Sequence, residues 1–331
     1  MRVETVPDNW REFRPEGDCL LIRYGAIGDM IQASSVIRAL ADEGHSVTLN
    51  TTPKGWNIVR RDPHISGAIL QETNQISQKE LREYWFHLGR GFNRVVNLSE
   101  SVERSIVATA GDRAWSWPKT FRELLMGVDY LAAQHAMAGV DPVFKPDFYP
   151  TAEERGWAHK YRKKISGPVV VWALSGSGVN KSYPYTDHVV AALMLGTNAT
   201  VVFVGDLVCQ LLESGWAKEP RVKCASGRWP IRKALAFTQI ADIVVGPDTG
   251  VINSVGYRQM PKILLLTHNS HKNFSWENTV YLAPENCDCH PCHKLHSGFS
   301  TCRQDPGTGA ALCAAKIDPS RVYDAIRSAI K

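Results

Sequence analysis

The chain has no apolar run approaching the roughly 20 residues that a membrane-spanning helix needs. Its first segment, with Asp8, Arg11, Glu12 and Arg14, lacks the apolar centre of a secretory signal. A large excess of charge of one sign is also lacking. A net charge of +5 over 331 residues is compatible with an anionic ligand, an anionic membrane surface or nucleic acid, and diagnostic of none of them. Cysteine is thin over most of the chain. Five of the eight (Cys287, Cys289, Cys292, Cys302, Cys313) crowd into the last fifth, which argues against a secreted disulfide scaffold. No low-complexity segment or short repeat is present. These absences point to the cytoplasm, with peripheral attachment at the inner membrane left open. A chain that is 44% hydrophobic and 21% charged at this length can build two ordinary domains, each with its own core.

Strand-like and helical runs alternate along most of the chain. "CLLIRY" (19–24), "SVTLNT" (46–51) and "RVVNLS" (94–99) read as buried parallel strands, and Met30 to Leu40 and Phe121 to Met137 as helices. The prolines of "DPVFKPDFYP" suit an extended linker, after which Thr151 to Glu154 offers a capping box. The second half repeats the scheme with "GPVVVWAL", "ATVVFVG", "ADIVVGP" and "PKILLLT" as strands and Trp229 to Ile240 as a helix. A last helix has Asp318 as N-cap, Pro319 in its first turn, and Val322, Ala325, Ile326, Ala329 and Ile330 on one face. This is an α/β pattern of two open parallel sheets, so function is expected in the loops after strands.

Three such loops carry chemistry. In "YGAIGD", Gly25 and Gly28 turn the backbone out of a strand, and Asp29 stands at the start of the next helix as a cap or as a functional anion. A dinucleotide-binding turn would leave that helix end free for pyrophosphate and want an acidic residue after the second strand. Asn50, Thr51 and Thr52 stand there instead, which disfavours a nicotinamide dehydrogenase. In "SGSGVNKSYPY", the small residues Ser175, Gly176, Ser177 and Gly178 can approach phosphate oxygens, with Lys181 as a nearby cation. The GK[ST] ending of a Walker A loop is missing. In "GPDTGVINS", Asp248, Thr249 and Gly250 lead from a strand into a helix whose first amides are free for a phosphate.

The order and spacing of these motifs resemble the ADP-heptose:lipopolysaccharide heptosyltransferases and their relatives in glycosyltransferase family 9. The "VVNLS" strand and the "LCAAKIDPSRVYDAI" tail fit as well. The resemblance implies a GT-B fold, with two Rossmann-like parallel-sheet α/β domains facing a central cleft. It places an acceptor-side domain at 1–150, a nucleotide-sugar donor domain with a Cys-rich tail at 151–317, and a terminal helix, 318–331, packing back toward the first domain. It also implies an inverting transfer of heptose or a related sugar from a nucleotide-diphosphate sugar to a lipopolysaccharide-like or other glycan, with no catalytic metal. By the same resemblance Asp29 matches the general base, and Asp248 a contact to donor-sugar hydroxyls. Thr249 and Gly250 match contacts to the diphosphate, whose charge Lys181 and the Ser175–Gly178 turn would stabilise. Two departures bear on the donor sugar: Asn253 stands where many members carry a histidine, and Tyr183 replaces the tryptophan before Pro184.

The acceptor is not legible. Arg113, Trp115, Trp117, Lys119 and Arg122 suit a sugar, a phosphorylated glycan or a nucleic-acid base equally. A bacteriophage-type enzyme acting on a hydroxylated DNA base therefore remains an alternative, as does a binding protein without catalysis, although an intact Asp29 argues against the latter. In the tail, Cys289, Cys292, Cys302 and Cys313 form a candidate structural zinc set. Cys287 or one of His290, His293 and His296 could substitute, and packing of reduced thiols is the alternative.

Overall fold

Short runs of Val, Ile and Leu bounded by turns form two all-parallel sheets. The first contains β1 (Arg2–Thr5), β2 (Gly17–Ile22), β3 (Val47–Thr51), β4 (Ile65–Leu70) and β5 (Phe92–Asn97), in the order β1-β4-β3-β2-β5. The second contains β6 (Val169–Ala173), β7 (Thr200–Val204), β8 (Val222–Cys224), β9 (Ile243–Pro247), β10 (Lys262–Leu265) and β11 (Thr279–Leu282), in the order β11-β10-β9-β6-β7-β8. Every residue of β6, β7, β9 and β10 is buried. This is why they read as unbroken apolar runs rather than alternating ones. The computed structural model describes residues 1–77, 79–99, 117–294 and 302–330.

The chain divides into two compact units: Met1–Gly111 with Tyr130–Tyr149, and Asp112–Asp129 with Pro150–Lys331. The second unit thus takes in residues 112–129, which fall within the 1–150 expected for the first domain. The helix expected over Phe121 to Met137 is two helices, Lys119–Met126 and Tyr130–Ala138, one in each unit. Gly127 ends the first of them. A Cβ there would stand 2.5 Å from the Glu123 carbonyl oxygen, a contact only glycine avoids.

In the first unit, Leu20 and Ile22 of β2 face Trp10, Tyr84, Trp85 and Leu88 in one core. On the helix Ile27–Asp42, residues Met30, Ile31, Ala33, Val36, Ile37 and Leu40 are buried. In the second unit the capping box forms as the sequence suggests: Glu154 N–H donates to Thr151 Oγ1 at 3.1 Å and Thr151 N–H to Glu154 Oε2 at 2.7 Å. The terminal helix, Pro319–Ala329, is capped by Asp318, which accepts from Ser320 N–H at 2.8 Å. Its apolar face joins the second unit's core: Val322 and Ile326 are fully buried with Trp172, Val190 and Leu193. That face is committed to the second unit. Burial of each of these two side chains contributes roughly 1.5–3 kcal/mol, which fixes the helix on this unit.

Candidate active site

Ligands of open α/β sheets bind beyond the carboxyl ends of the strands, where the strand order reverses. In the first sheet that point lies between β2 and β5, and Asp29 follows β2. In the second it lies between β6 and β9. The Ser175 turn follows β6 and Asp248 follows β9. All three loops are therefore where the topology makes ligand sites.

Asp29 is not the N-cap; Ala26 is, and Asp29 is the third helical residue. Its Oδ2 accepts from Ala26 N–H at 2.6 Å, and its Oδ1 accepts from Arg23 Nη2 at 2.7 Å. Arg23 is wholly buried at the end of β2 and also donates through Nη1 to the Leu98 carbonyl at 2.6 Å, while the Asp29 side chain keeps 19% exposure. A buried guanidinium thus aims a carboxylate that still reaches solvent. Gly25 makes this possible, with φ at +152° and so little room that a Cβ would stand 2.6 Å from Asp29 Oδ2. The same unit holds an uncharged polar cluster. The Tyr24 hydroxyl stands 2.5 Å from both Asn50 Oδ1 and Gln71 Oε1, and Asn50 Nδ2 donates to the Tyr84 hydroxyl at 3.1 Å. Burial holds the Tyr24 phenol well above its ordinary pKa.

In the second unit the structure brings Gly176, Lys181 and Thr249 together. A Cβ on Gly176 would meet Lys181 Cδ at 2.7 Å and Thr249 Cγ2 at 2.9 Å. Ser175 Oγ pairs with Ser182 Oγ at 2.8 Å, and Ser177 is exposed in the same turn. Thr249 occupies the N-cap position before Gly250, yet its side chain caps nothing, and its buried Oγ1 has no partner among the described residues. The helix that Gly250 opens is one turn, Gly250–Asn253, so a macrodipole adds little to its free amides.

Asp248 is held by amides. Asn253 Nδ2 donates to its Oδ1 at 2.8 Å and Asn269 Nδ2 to its Oδ2 at 3.1 Å, while His268 Nε2 stands 3.9 Å from Oδ2. Asn253 therefore works as a support for Asp248. Tyr183 is in the core, with its hydroxyl donating to the Ile317 carbonyl at 2.9 Å. Sequence reasoning missed Arg23, Asn180, His268 and Asn269. The available signal was a polar "HN" pair directly after the apolar strand "PKILLLT".

Lys119 and Arg122, read as acceptor-binding cations, are engaged elsewhere. Lys119 Nζ donates to the carbonyls of Asp288 at 2.9 Å and His290 at 2.5 Å, and Arg122 Nε to that of Cys292 at 2.8 Å. They staple their helix to the cysteine loop. Trp117 packs on Phe121 with ring centroids 5.0 Å apart. Arg113, Trp115 and His296 lie outside the described residues.

In the tail, Cys287 and Cys302 pack against buried Cys313. Burial pushes the Cys313 thiol well up in pKa, and Cys292, Cys302, Cys287 and Cys289 push it further. Cys287 Sγ and Cys289 Sγ lie 3.5 Å apart, near the roughly 3.8 Å edge of a tetrahedron with zinc–sulfur bonds of about 2.3 Å. The donor chemistry suits zinc, but among the described residues no three His, Cys, Asp or Glu side chains stand in position to hold a metal. His293 is buried, which brings its pKa down to about 4. No helix among the described residues is long and apolar enough to cross a membrane.

The fold is that of the glycosyltransferases of the heptosyltransferase type. The family 9 glycosyltransferase of Veillonella parvula superposes with a TM-score of 0.65 over 96% of this chain and 98% of its own, at 13% identity. ADP-heptose lipopolysaccharide heptosyltransferase II of E. coli gives 0.62 over 95% and 98%, at 14% identity. TibC of enterotoxigenic E. coli H10407, an iron-containing dodecameric glycosyltransferase, gives 0.58 over 96% and 77%, at 12% identity, and has also been solved with ADP-D-β-D-heptose. No protein-family model matches the chain, and no curated protein matches it in sequence.

Proposed function

We propose that this chain is an inverting glycosyltransferase that moves a heptose or related sugar from a nucleotide-diphosphate sugar to a hydroxyl of a lipopolysaccharide-like or other glycan. The observation that carries the reading is the convergence of Gly176, Lys181 and the unpartnered Thr249 hydroxyl at the switch point of the second sheet. A cation beside an unpartnered hydroxyl and a side-chain-free backbone suits an anion such as a diphosphate. The likeness in fold to sugar-nucleotide enzymes supports it.

In the proposed reaction the acceptor hydroxyl oxygen attacks the anomeric carbon from the face opposite the diphosphate. Its proton passes to the Asp29 carboxylate, whose direction Arg23 sets. The bond from the anomeric carbon to the phosphate oxygen breaks, and its electron pair leaves with the nucleoside diphosphate. The charge that develops there is met by the Lys181 ammonium and the Thr249 and Ser175 hydroxyls, a role that divalent ions play in other enzymes. Glycan acceptors are favoured over DNA because Lys119 and Arg122, two cations that could have met a phosphate backbone, are committed to the cysteine loop. The test is product analysis with a panel of nucleotide sugars against lipopolysaccharide core and hydroxylated DNA. A glycosylated glycan with inverted anomeric configuration supports the reading, and no transfer from any donor refutes it.

We also propose a structural zinc in the tail, held by thiolates from among Cys289, Cys292, Cys302 and Cys313, with Cys287 as the neighbour of Cys289. Its place would be in folding the tail, with no part in the transfer step itself.

A further inference from the structure

His268 and Asn269 follow β10 and are both wholly buried, so neither can touch a donor. Anything they contribute must pass through the groups they hold. Asn269 Nδ2 donates to Asp248 Oδ2 at 3.1 Å. On the other side, Asn180 Nδ2 donates to His268 Nδ1 and to Thr267 Oγ1, each at 3.1 Å. With Nδ1 accepting, the proton of a neutral imidazole sits on Nε2, the nitrogen that faces Asp248 at 3.9 Å. Asn180 directly precedes Lys181. The pair therefore joins the loop bearing the cation to the loop bearing the carboxylate.

The backbone of the pair is fixed from outside both loops. His293 N–H donates to the His268 carbonyl at 2.7 Å, and the His290 ring bonds the Asn269 carbonyl at 2.9 Å. Both come from the cysteine-rich segment. Asn180 Oδ1 and Asn269 Oδ1 accept no hydrogen bond among the described residues, so the network is polar and incompletely filled, as at a site that completes itself on binding.

We infer that His268 and Asn269 are positioning residues that orient the Asp248 carboxylate for the hydroxyls of the donor sugar, and that the cysteine-rich segment supports the donor site through their backbone. This rests on the proposed function and deepens it. Discrimination between sugars would be set at the end of β10 by side chains that never meet the sugar. Nucleoside diphosphates, which lack the sugar, should be indifferent to it.

The experiment measures, by calorimetry, the binding of ADP, GDP, UDP and CDP and of their nucleotide sugars to the wild type and to His268→Ala, His268→Gln and Asn269→Ser. For the donor that the wild type prefers, His268→Ala and Asn269→Ser should lose the sugar-dependent gain in affinity by roughly threefold to tenfold, the scale of one hydrogen bond, while diphosphate affinity stays constant. His268→Gln, which keeps polar atoms near both positions, should recover part of it. Sugar-nucleotide and diphosphate affinities that fall together, or that both stay at wild-type values, overturn the inference while leaving the proposed function standing. A wild type that binds none of the panel overturns the proposed function and the inference with it. Thermal melts accompany each variant; if His268→Ala does not fold, Asn269→Ser decides.

Discussion

Arg23 Nη2 lies 2.7 Å from Asp29 Oδ1, a wholly buried guanidinium against a carboxylate that remains partly open to solvent. The two residues are six apart, at the end of β2 and in the first turn of the next helix, so the strand-to-helix turn itself builds the pair. A cation that is also bonded to the Leu98 carbonyl cannot follow the carboxylate outward. It fixes one oxygen, Ala26 N–H fixes the other, and the carboxylate keeps a single direction.

Asp29→Asn should lower kcat roughly 100-fold or more, the usual scale for general acid–base work, with nucleoside diphosphate affinity unchanged. The amide oxygen can keep one of the two acceptor contacts, so the stability cost should stay near 1–2 kcal/mol. Steady-state kinetics beside a denaturant melt measures both. Turnover close to wild type would remove Asp29 from the chemistry and leave it as a capping-box residue.

Gly25→Ala tests the same geometry without touching a charge. The added methyl would need φ near +152° and would stand 2.6 Å from Asp29 Oδ2, so the carboxylate must move. Activity should fall while binding of the diphosphate, made in the other unit, stays constant. Wild-type kinetics in this variant would show that the direction of the carboxylate does not matter.

Lys181→Ala and Thr249→Val should each weaken nucleoside diphosphate binding, with Lys181 the larger because its hydrogen bond is charge-assisted. Gly176→Ala should do so too, since its Cβ would press on both side chains at 2.7 and 2.9 Å. Titration calorimetry separates the three. Unchanged affinity in all of them would move the diphosphate elsewhere.

Burial brings the ammonium of Lys262 down to a pKa of about 8, although Nζ donates to the carbonyls of Arg258 at 2.6 Å and Met260 at 2.9 Å. The unfolded chain then binds more protons than the folded one between about pH 8 and the usual lysine value, so this group's contribution to stability rises with pH across that window. Lys262→Met should flatten that rise. The difference between wild-type and mutant melting curves, taken from pH 7.5 to 10, isolates it from the tyrosines and thiols that titrate alongside. A difference independent of pH would mean that Lys262 is not perturbed.

The central strands of both sheets were legible because burial on two faces leaves runs such as "VVVW" and "IVVG" with no other reading. The short or interrupted strands were not: β1, β8 and β11 are only three or four residues long and incompletely buried, and β4, inside the first sheet, carries Gly67. The helix across Gly127 was misread because one glycine interrupts an otherwise helical run. Of the candidate site, Asp29, Lys181, Asp248 and Thr249 could be singled out because each lies in a segment that follows a strand and has loop-forming neighbours. Arg23, Asn180, His268 and Asn269 could not, because each matters through a partner on another loop, and a buried arginine at a strand end has no sequence mark apart from the aspartate it meets.

The last prediction concerns metals. Lys181 supplies a positive charge beside the proposed diphosphate site, so turnover should survive EDTA in the assay; a strict requirement for magnesium or manganese would reject the mechanism. Stability should behave differently. Burial raises the thiols of Cys292, Cys302 and Cys313, so an unmetallated tail would keep them as neutral packing groups, whereas a tetrahedral thiolate site would bind a soft metal and release their protons. Elemental analysis of the purified protein should find about one zinc per chain, for a single four-ligand site. Cys292→Ser with Cys302→Ser should remove it and lower the melting temperature. Because His290 and His293 fasten the tail to residues 268 and 269, the same double variant should also weaken binding of the preferred nucleotide sugar more than binding of its diphosphate. A metal-free wild type with an unchanged melt in the double variant would leave these cysteines as packing residues.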